Sequence, residues 1–127
     1  MELKEILNFT TEIGYLMISY GADISRVERE IKELCEAYGV RETDVFAVPS
    51  SLIVTLSDGI NYCTKSRRIV AKCNDLDKVS NIIQLCDWMK EKRPDRFYVF
   101  QTLEEIKRQP VYPAWVIVLA NIVISGT

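Results

Sequence analysis

Histidine is absent from the 127 residues. This absence excludes histidine-based catalytic triads, imidazole metal ligands and the commonest general base near neutral pH. Glycine is scarce as well, with five residues at positions 14, 21, 39, 59 and 126, and their spacing fits neither a P-loop nor a dinucleotide-binding fingerprint. We therefore predict no bound nucleotide and no other cofactor.

Neither sign of charge dominates the chain. Sixteen basic and 18 acidic residues are interspersed and give a formal net charge of -2. Proteins that bind nucleic acid concentrate Lys and Arg on one face, so we predict no nucleic-acid partner. With 48% hydrophobic and 27% charged residues, the length fits one folded domain with a sizeable core.

The four cysteines, Cys35, Cys63, Cys73 and Cys86, contain no C-x-x-C pair. A zinc site would need ligands from four separate elements, so we predict no metal site. No secretory signal opens the sequence, and we expect the thiols to stay reduced in a cytoplasm. Cys35 and Cys86 fall on apolar helical faces and are predicted core residues.

Two amphipathic helices are predicted in the first 39 residues. Apolar residues keep a helical period over residues 3–20, and Gly21 is placed to end that helix. Ser25 and Glu28 have the spacing of a capping box, which predicts a second helix that begins near Arg26 and ends at Gly39.

A hairpin-rich sheet is predicted next. Residues 45–48 form a strand ended by Pro49, and residues 52–57 alternate as a half-buried strand does. Asp58-Gly59 predicts a two-residue hairpin, after which residues 60–64 return antiparallel. We expect a further strand near residues 69–72, and Lys65, Arg67 and Arg68 before it as solvated side chains.

Helices are again predicted in the last third of the chain. Asn74 or Asp75 caps a third helix, whose buried stripe includes Leu76 and which ends at Arg93-Pro94. Residues 97–100 fit either a short edge strand or a packed loop. Thr102 and Glu105 have capping-box spacing, which predicts a short helix closed by Gln109-Pro110.

Several short motifs occur in a distinctive order and spacing: Gly21-Ala22, Arg26-Val27-Glu28, Gly39, the strand at 45–49, Asp58-Gly59, Tyr112-Pro113 and Trp115. Together they resemble the N-terminal domain of the threonine/serine exporter family, over nearly the whole chain. The resemblance implies export of small metabolites such as amino acids.

The segment 114–127 has no charged residue and follows Lys107-Arg108 and Tyr112-Pro113. A cationic flank and an aromatic anchor are typical of membrane entry from the cytoplasm. The run is shorter than the roughly 20 apolar residues of a spanning helix. The resemblance implies that a first transmembrane helix begins here, so we expect a truncated one; the alternative is a terminal helix or strand that completes the soluble core.

Four residues are candidates for binding. Arg26 lies at the unfavourable end of the helix dipole, which indicates either a pair with Glu30 or contact with an acidic ligand or a membrane-domain loop. Its motif neighbour Glu28 is the second candidate. Ser50 and Ser51 are typical of a turn but present hydroxyls after Pro49. No catalytic residue is predicted.

The sequence thus predicts an α+β fold with an antiparallel sheet of three to five strands packed by amphipathic helices. Residues 1–109 form a cytoplasmic domain, and 110–127 begin a first transmembrane helix. The chain is predicted to lie at the cell membrane and to act, not as an enzyme, in gating, sensing or assembly of amino-acid efflux. Its expected partners are the membrane, the transmembrane part of an exporter on the same or a separate chain, a small amino acid or related metabolite, and further copies of itself. The alternative is a free-standing soluble ligand-binding or interaction module; a hydrolase using Ser50 or Ser51 is the third hypothesis.

Overall fold

The computed structural model describes residues 2–70 and 72–108. The predicted α+β class is confirmed, with four helices and three strands. The predicted start of a transmembrane helix at 110–127, and the alternative in which this tail completes the core, lie outside the described residues. In chain order the elements are α1 (Leu3–Ser19), α2 (Ile24–Ala37), β1 (Glu42–Val48), β2 (Ser51–Ser57), β3 (Tyr62–Arg68), α3 (Leu76–Lys92) and α4 (Arg96–Arg108).

The elements form three layers. The strands make an antiparallel sheet in the order β1-β2-β3. Helices α1 and α2 cover one face of this sheet; α3 packs on α1 and α2 from the far side, and α4 packs on α1 and α3. Within residues 2–70 and 72–108, no helix combines the length and the apolar character needed to cross a membrane.

The core lies between these layers and is organised around α1. Burial of each large apolar side chain contributes about 1.5–3 kcal/mol relative to its exposure. The largest fully buried side chains are Phe9, Ile13 and Met17 of α1, Val27, Ile31 and Leu34 of α2, Leu52 and Leu56 of β2, Ile82 and Met89 of α3, and Leu103 and Ile106 of α4. Cys35 and Cys86 are also fully buried, as predicted.

Two glycines end the first two helices, as predicted. Gly21 and Gly39 have φ of 96° and 81°, the left-handed region in which glycine has no steric penalty. The N–H of Ala22 then donates to the carbonyl of Met17 at 2.8 Å, which is the main bond of a Schellman motif.

The start of α2 differs from the predicted capping box. The residue that precedes the helix is Asp23, and α2 begins at Ile24, two residues before Arg26. Ser25 therefore lies inside the first turn, where its hydroxyl donates to the Asp23 carboxylate at 2.9 Å. The prediction that Ser25 and Glu28 form a capping box is wrong, because the residue with extended backbone before the helix is Asp23.

The β2–β3 loop is longer than predicted. Ser57 pairs with Tyr62, so the loop has four residues instead of two. The Asp58 carboxylate accepts hydrogen bonds from the N–H groups of Ile60 and Asn61 at 2.9 and 2.7 Å, and this Asx turn replaces a two-residue hairpin. The strand predicted near 69–72 is wrong for residues 69, 70 and 72, which have no regular structure.

The third helix begins and ends where the sequence predicts, whereas α4 begins earlier than predicted. Asp75 caps α3 by accepting from the N–H of Lys78 at 3.2 Å, although Leu76 is 69% exposed and lies outside the buried stripe. Residues 97–100 are neither strand nor loop, because α4 already begins at Arg96. Thr102 is inside this helix and donates to the Tyr98 carbonyl at 2.9 Å, so the second predicted capping box is wrong.

Candidate functional site

The four predicted binding residues do not share a cavity. Arg26 is in the first turns of α2, and Glu28 is half-buried on the same helix. Ser50 is exposed in the β1–β2 turn, and Ser51 is the first residue of β2. The shallow cavity of about 360 Å³ beside Arg26 includes neither Glu28 nor the two serines; it is lined by Ala22, Asp23, Ser25, Arg26, Arg29 and Val79.

The serines have no activating base among the described residues. A serine nucleophile needs a base within hydrogen-bond reach of its hydroxyl. In the described part of the chain, neither the Ser50 nor the Ser51 hydroxyl forms a side-chain hydrogen bond, whereas the carbonyl of Ser50 accepts from the N–H of Ile69 at 3.0 Å. The arrangement supports the interpretation of these serines as turn residues.

Arg26 instead belongs to an ion-pair cluster between α2 and α3. Its Nε donates to Oε1 of Glu30 at 3.0 Å, which is the partner four residues on that the sequence offers. Lys90 of α3 donates to the other oxygen of Glu30 at 2.9 Å and to Glu33 at 2.7 Å. The Glu30 side chain is only 3% exposed, so the two cations compensate a buried charge.

The titration behaviour of this cluster follows from its geometry. Burial lowers the pKa of Lys90, but the hydrogen bonds to Glu30 and Glu33 outweigh burial and hold this pKa above its ordinary value. The hydrogen bond from Lys90 lowers the pKa of Glu33. Both effects favour the charged forms at neutral pH. With its charges mutually satisfied, the cluster connects α2 to α3.

A second concentration of charge lies in a cleft where α1, the end of β3, the segment before α3 and the end of α4 meet. We call it the α1–β3–α4 cleft. Its cavity measures about 440 Å³ and is lined by Glu12, Tyr15, Leu16, Ser19, Tyr20, Arg67, Lys72, Cys73 and Lys107.

Contacts from two sides hold Arg67 in this cleft. Its Nη1 lies 2.6 Å from Oε2 of Glu12, and its guanidinium carbon lies 4.0 Å from the centre of the Tyr15 ring. The other oxygen of Glu12 lies 3.4 Å from Nζ of Lys107, which also donates to Glu104 at 2.7 Å. A cation over an aromatic face and a charge-assisted hydrogen bond each restrict the side chain, so the guanidinium is ordered before any ligand arrives.

The inner end of the cleft is formed by the last turn of α1. The carbonyls of Ser19 and Tyr20 accept hydrogen bonds from the N–H groups of Cys73 and Asp75 at 2.8 and 3.0 Å, which fixes the segment that carries Lys72. Burial, followed by the nearby Cys73, raises the pKa of Tyr20 above its ordinary value. The neutral phenol can donate a hydrogen bond. The Ser19 hydroxyl is buried and has no hydrogen-bond partner in the part of the chain that the structure describes.

A larger open cavity of about 650 Å³ lies at the other end of α1, and its lining includes Leu3, Tyr38 and Cys63. Lys4 is the single cation in that lining, and Tyr38 already donates from its hydroxyl to the carbonyl of Pro94 at 2.8 Å. Burial raises the pKa of the Cys63 thiol, which makes it a poorer nucleophile. The α1–β3–α4 cleft is therefore the better candidate site.

This cleft was not predicted from the sequence, because its residues come from four separate segments. Arg67 was predicted to be solvated, yet it pairs with Glu12. The two-residue period of β3 carries the signal: Lys65 and Arg67 alternate with the exposed Ser66 and Arg68, which puts the first two on the face covered by α1. Basic residues on the covered face of a strand require acidic or polar partners on the element that covers them.

The sequence was compared with protein-family models, with curated proteins and with solved structures. No curated protein and no solved structure matches it. A family model does: ThrE, a family of threonine/serine exporters, matches residues 8–127. This match confirms the resemblance carried by the motifs, and the chain belongs to the ThrE family.

Proposed function

We propose that residues before Pro110 form the cytoplasmic N-terminal domain of an exporter of small metabolites, and that the chain lies at the cell membrane. The observation that carries the proposal is the family match over residues 8–127. It is supported by the uncharged segment 114–127, whose flanking Lys107-Arg108 and Tyr112-Pro113 are typical of membrane entry from the cytoplasmic side. The solute then crosses through membrane helices of the same or a separate chain.

The role that we propose for this domain is gating, sensing or assembly of amino-acid efflux. A domain of this kind acts on transport through contacts with the membrane part or through a bound ligand. Arg26 with Glu28 on α2, and Ser50 with Ser51 at the β1–β2 turn, are the proposed contact residues.

A free-standing soluble ligand-binding module is the second candidate function. The observation that favours it is the α1–β3–α4 cleft, which is concave, charged and ordered by its own contacts. Such a module needs no membrane helices. Location separates the two functions, because an exporter domain is retained in the membrane fraction together with its transport partner.

An efflux assay tests the exporter domain. Cells that lack the gene are loaded with labelled threonine or serine, and the rate of efflux is measured with and without the wild-type chain. We expect faster efflux with the chain and its recovery in the membrane fraction. Identical rates with and without it, in cells that make the rest of the exporter, would refute the proposal.

Two arginines on one helix provide a matched pair for the same assay. Arg26→Ala removes the motif residue, whereas Arg29→Ala removes an exposed neighbour in the same cavity. The Arg26 side chain is 38% exposed, so the loss of its ion pair should cost about 1 kcal/mol or less. If Arg26 contacts a ligand or a membrane-domain loop, efflux falls with Arg26→Ala and not with Arg29→Ala. Wild-type efflux in both variants assigns Arg26 to the ion-pair cluster alone.

A further inference from the structure

The α1–β3–α4 cleft concentrates positive charge in a chain whose net charge is -2. Arg67, Lys72 and Lys107 contribute three positive charges from three separate segments. Glu12 contributes the one carboxylate of the lining, and Glu104 beside the cleft accepts from Lys107 at 2.7 Å, so the positive charges exceed the negative ones by one. Lys72 is exposed and forms no ion pair among the described residues. An excess of positive charge in a low-dielectric cleft raises the local concentration of ions of opposite sign, so this cleft favours an anion.

The contacts of Arg67 fix its guanidinium but leave donors free. A guanidinium has five N–H donors, and here Nη1 is the nitrogen within hydrogen-bond distance of Glu12. Because Tyr15 and Glu12 already order the guanidinium, the Arg67 side chain loses little conformational entropy when a ligand binds to its remaining donors. Several ordered cationic donors around one cavity match the multiple acceptor oxygens of a phosphate or a dicarboxylate.

The same contacts argue against a ligand with an ammonium group, such as an amino acid. Such a ligand needs a free carboxylate or an open aromatic face for its positive end. Glu12 is already shared between Arg67 and Lys107. The Tyr15 ring is covered by Arg67, and Lys78 lies 5.2 Å from the centre of the Tyr20 ring.

We propose that the α1–β3–α4 cleft binds a small oxyanion with two negative charges, such as a phosphate group, through Arg67, Lys72 and Lys107. The two sources of this chemistry are a soluble metabolite and the headgroup of an anionic lipid. Binding at this cleft goes beyond the proposed part in export, and it is measured without transport, so the failure of one leaves the other standing.

Calorimetric titration of the full 127-residue chain with inorganic phosphate tests the proposal. The titration is made at low ionic strength and repeated with sodium chloride of matched ionic strength. Lys72→Gln is the main variant, because Lys72 is exposed and its loss leaves the Glu12–Arg67 pair intact. Arg67→Gln is the second. Arg68→Gln is the matched control, since it removes the same charge one residue away on the opposite face of β3.

We expect saturable phosphate binding that weakens about tenfold in Lys72→Gln and in Arg67→Gln, the loss expected for one charge-assisted hydrogen bond. Arg68→Gln should bind as the wild type does. An equal loss in Arg68→Gln would show nonspecific attraction and overturn the site. The absence of binding in the wild type, or threonine binding as tightly as phosphate, would also overturn it.

Vesicles separate the two sources of the anion. The chain is mixed with phosphatidylcholine vesicles that contain or lack phosphatidic acid, and the bound fraction is sedimented. Retention that requires phosphatidic acid and is lost in Lys72→Gln assigns the anion to a lipid headgroup. Binding of free phosphate without such retention assigns it to a soluble metabolite. If neither phosphate nor phosphatidic acid is bound in a way that depends on Lys72, the proposal is wrong.

Discussion

Lys90 on α3 and Glu30 on α2 form a hydrogen-bonded ion pair of 2.9 Å in which the Glu30 side chain is 3% exposed. The carboxylate tolerates this burial because Arg26 approaches its other oxygen at 3.0 Å. Two cations from two helices therefore neutralise one buried acid. The packing of α2 against α3 therefore depends on the compensation of the Glu30 charge as well as on apolar contacts.

The first prediction concerns this balance. The double variant Arg26→Met with Lys90→Met leaves Glu30 buried without a cation, and it should lower the free energy of unfolding by about 3–5 kcal/mol. Each single variant keeps one cation, so the two single losses should sum to less than the loss in the double variant. Urea melts of the four proteins measure this, with exposed Lys92→Met as control. If the losses of unfolding free energy in the two single variants add up to the loss in the double variant, Arg26 and Lys90 do not share the compensation of Glu30.

The pH dependence of stability provides the second prediction. The hydrogen bond from Lys90 lowers the pKa of Glu33, so this carboxylate stabilises the fold above its unfolded pKa of about 4.3 and loses that contribution as pH falls through the lower folded value. Lys90, with a raised pKa, contributes fully below about pH 10.4 and loses its contribution above that value. In Lys90→Met the pKa of Glu33 should rise, as measured by NMR titration of its carboxyl carbon. An unchanged pKa of Glu33 in Lys90→Met would contradict the hydrogen bond between these two residues.

The sequence predicted α1, α2 and α3 because their apolar periods are long and their ends have glycine or Asp75. It also predicted that β3 returns antiparallel to β2. It failed at α4, where Phe97, Tyr98, Val99 and Phe100 have the aromatic and β-branched composition of a strand. The missed signal is Asp95, whose carboxylate accepts from the N–H of Tyr98 at 3.0 Å. Tertiary burial of Val99 and the helical period that follows it outweigh local strand propensity.

The partner of Arg67 in the candidate cleft was missed for a different reason. Glu12 and Arg67 are 55 residues apart and meet at 2.6 Å only because β3 packs beside α1. A local hydrophobic period in the sequence cannot predict a contact between residues so far apart in the chain. Arg26 illustrates the converse: its partner Glu30 is four residues away on the same helix, so the sequence could name it.

The third prediction concerns the close approach of α1 to its neighbours at Gly14. A Cβ at this position would lie 2.7 Å from Cδ1 of Ile31 and 2.7 Å from Cδ2 of Leu52. Gly14→Ala should gain about 1 kcal/mol of helix propensity but lose more, about 1–3 kcal/mol, to overpacking. We expect a net loss of stability in a urea melt.

A compensating variant tests the cause of that loss. Ile31→Val removes the Cδ1 atom and by itself costs about 0.5–1.5 kcal/mol. In the Gly14→Ala background it should cost less than this, or restore stability, because it relieves the clash. Strictly additive costs would mean that Gly14 is not held by this contact.

The fourth prediction concerns the thiols. Cys35 and Cys86 are fully buried, and burial raises the pKa of Cys35 to about 11, so neither should react with N-ethylmaleimide in the native protein. The exposed Cys73 should react first and the half-buried Cys63 more slowly. Mass spectrometry of timed samples should show four modified thiols only after denaturation, and elemental analysis should find no stoichiometric zinc. Rapid native labelling of Cys86, or one bound zinc per chain, would contradict this prediction.

The last prediction concerns residues 110–127, which lie outside the described structure. If their apolar run belongs to a membrane helix, a chain that ends at Gln109 should be monodisperse, with the same urea midpoint as the 127-residue form. The longer form should self-associate or partition into detergent, since each exposed large aliphatic side chain forgoes about 1.5–3 kcal/mol of burial. If the run is instead core, truncation removes buried side chains at a cost comparable to the 2–5 kcal/mol of a Leu→Ala core change, and the midpoint falls sharply. A collapse of the midpoint on truncation would therefore exclude the membrane helix and weaken the proposed exporter domain, whereas an unchanged midpoint would leave the apolar run free for the bilayer.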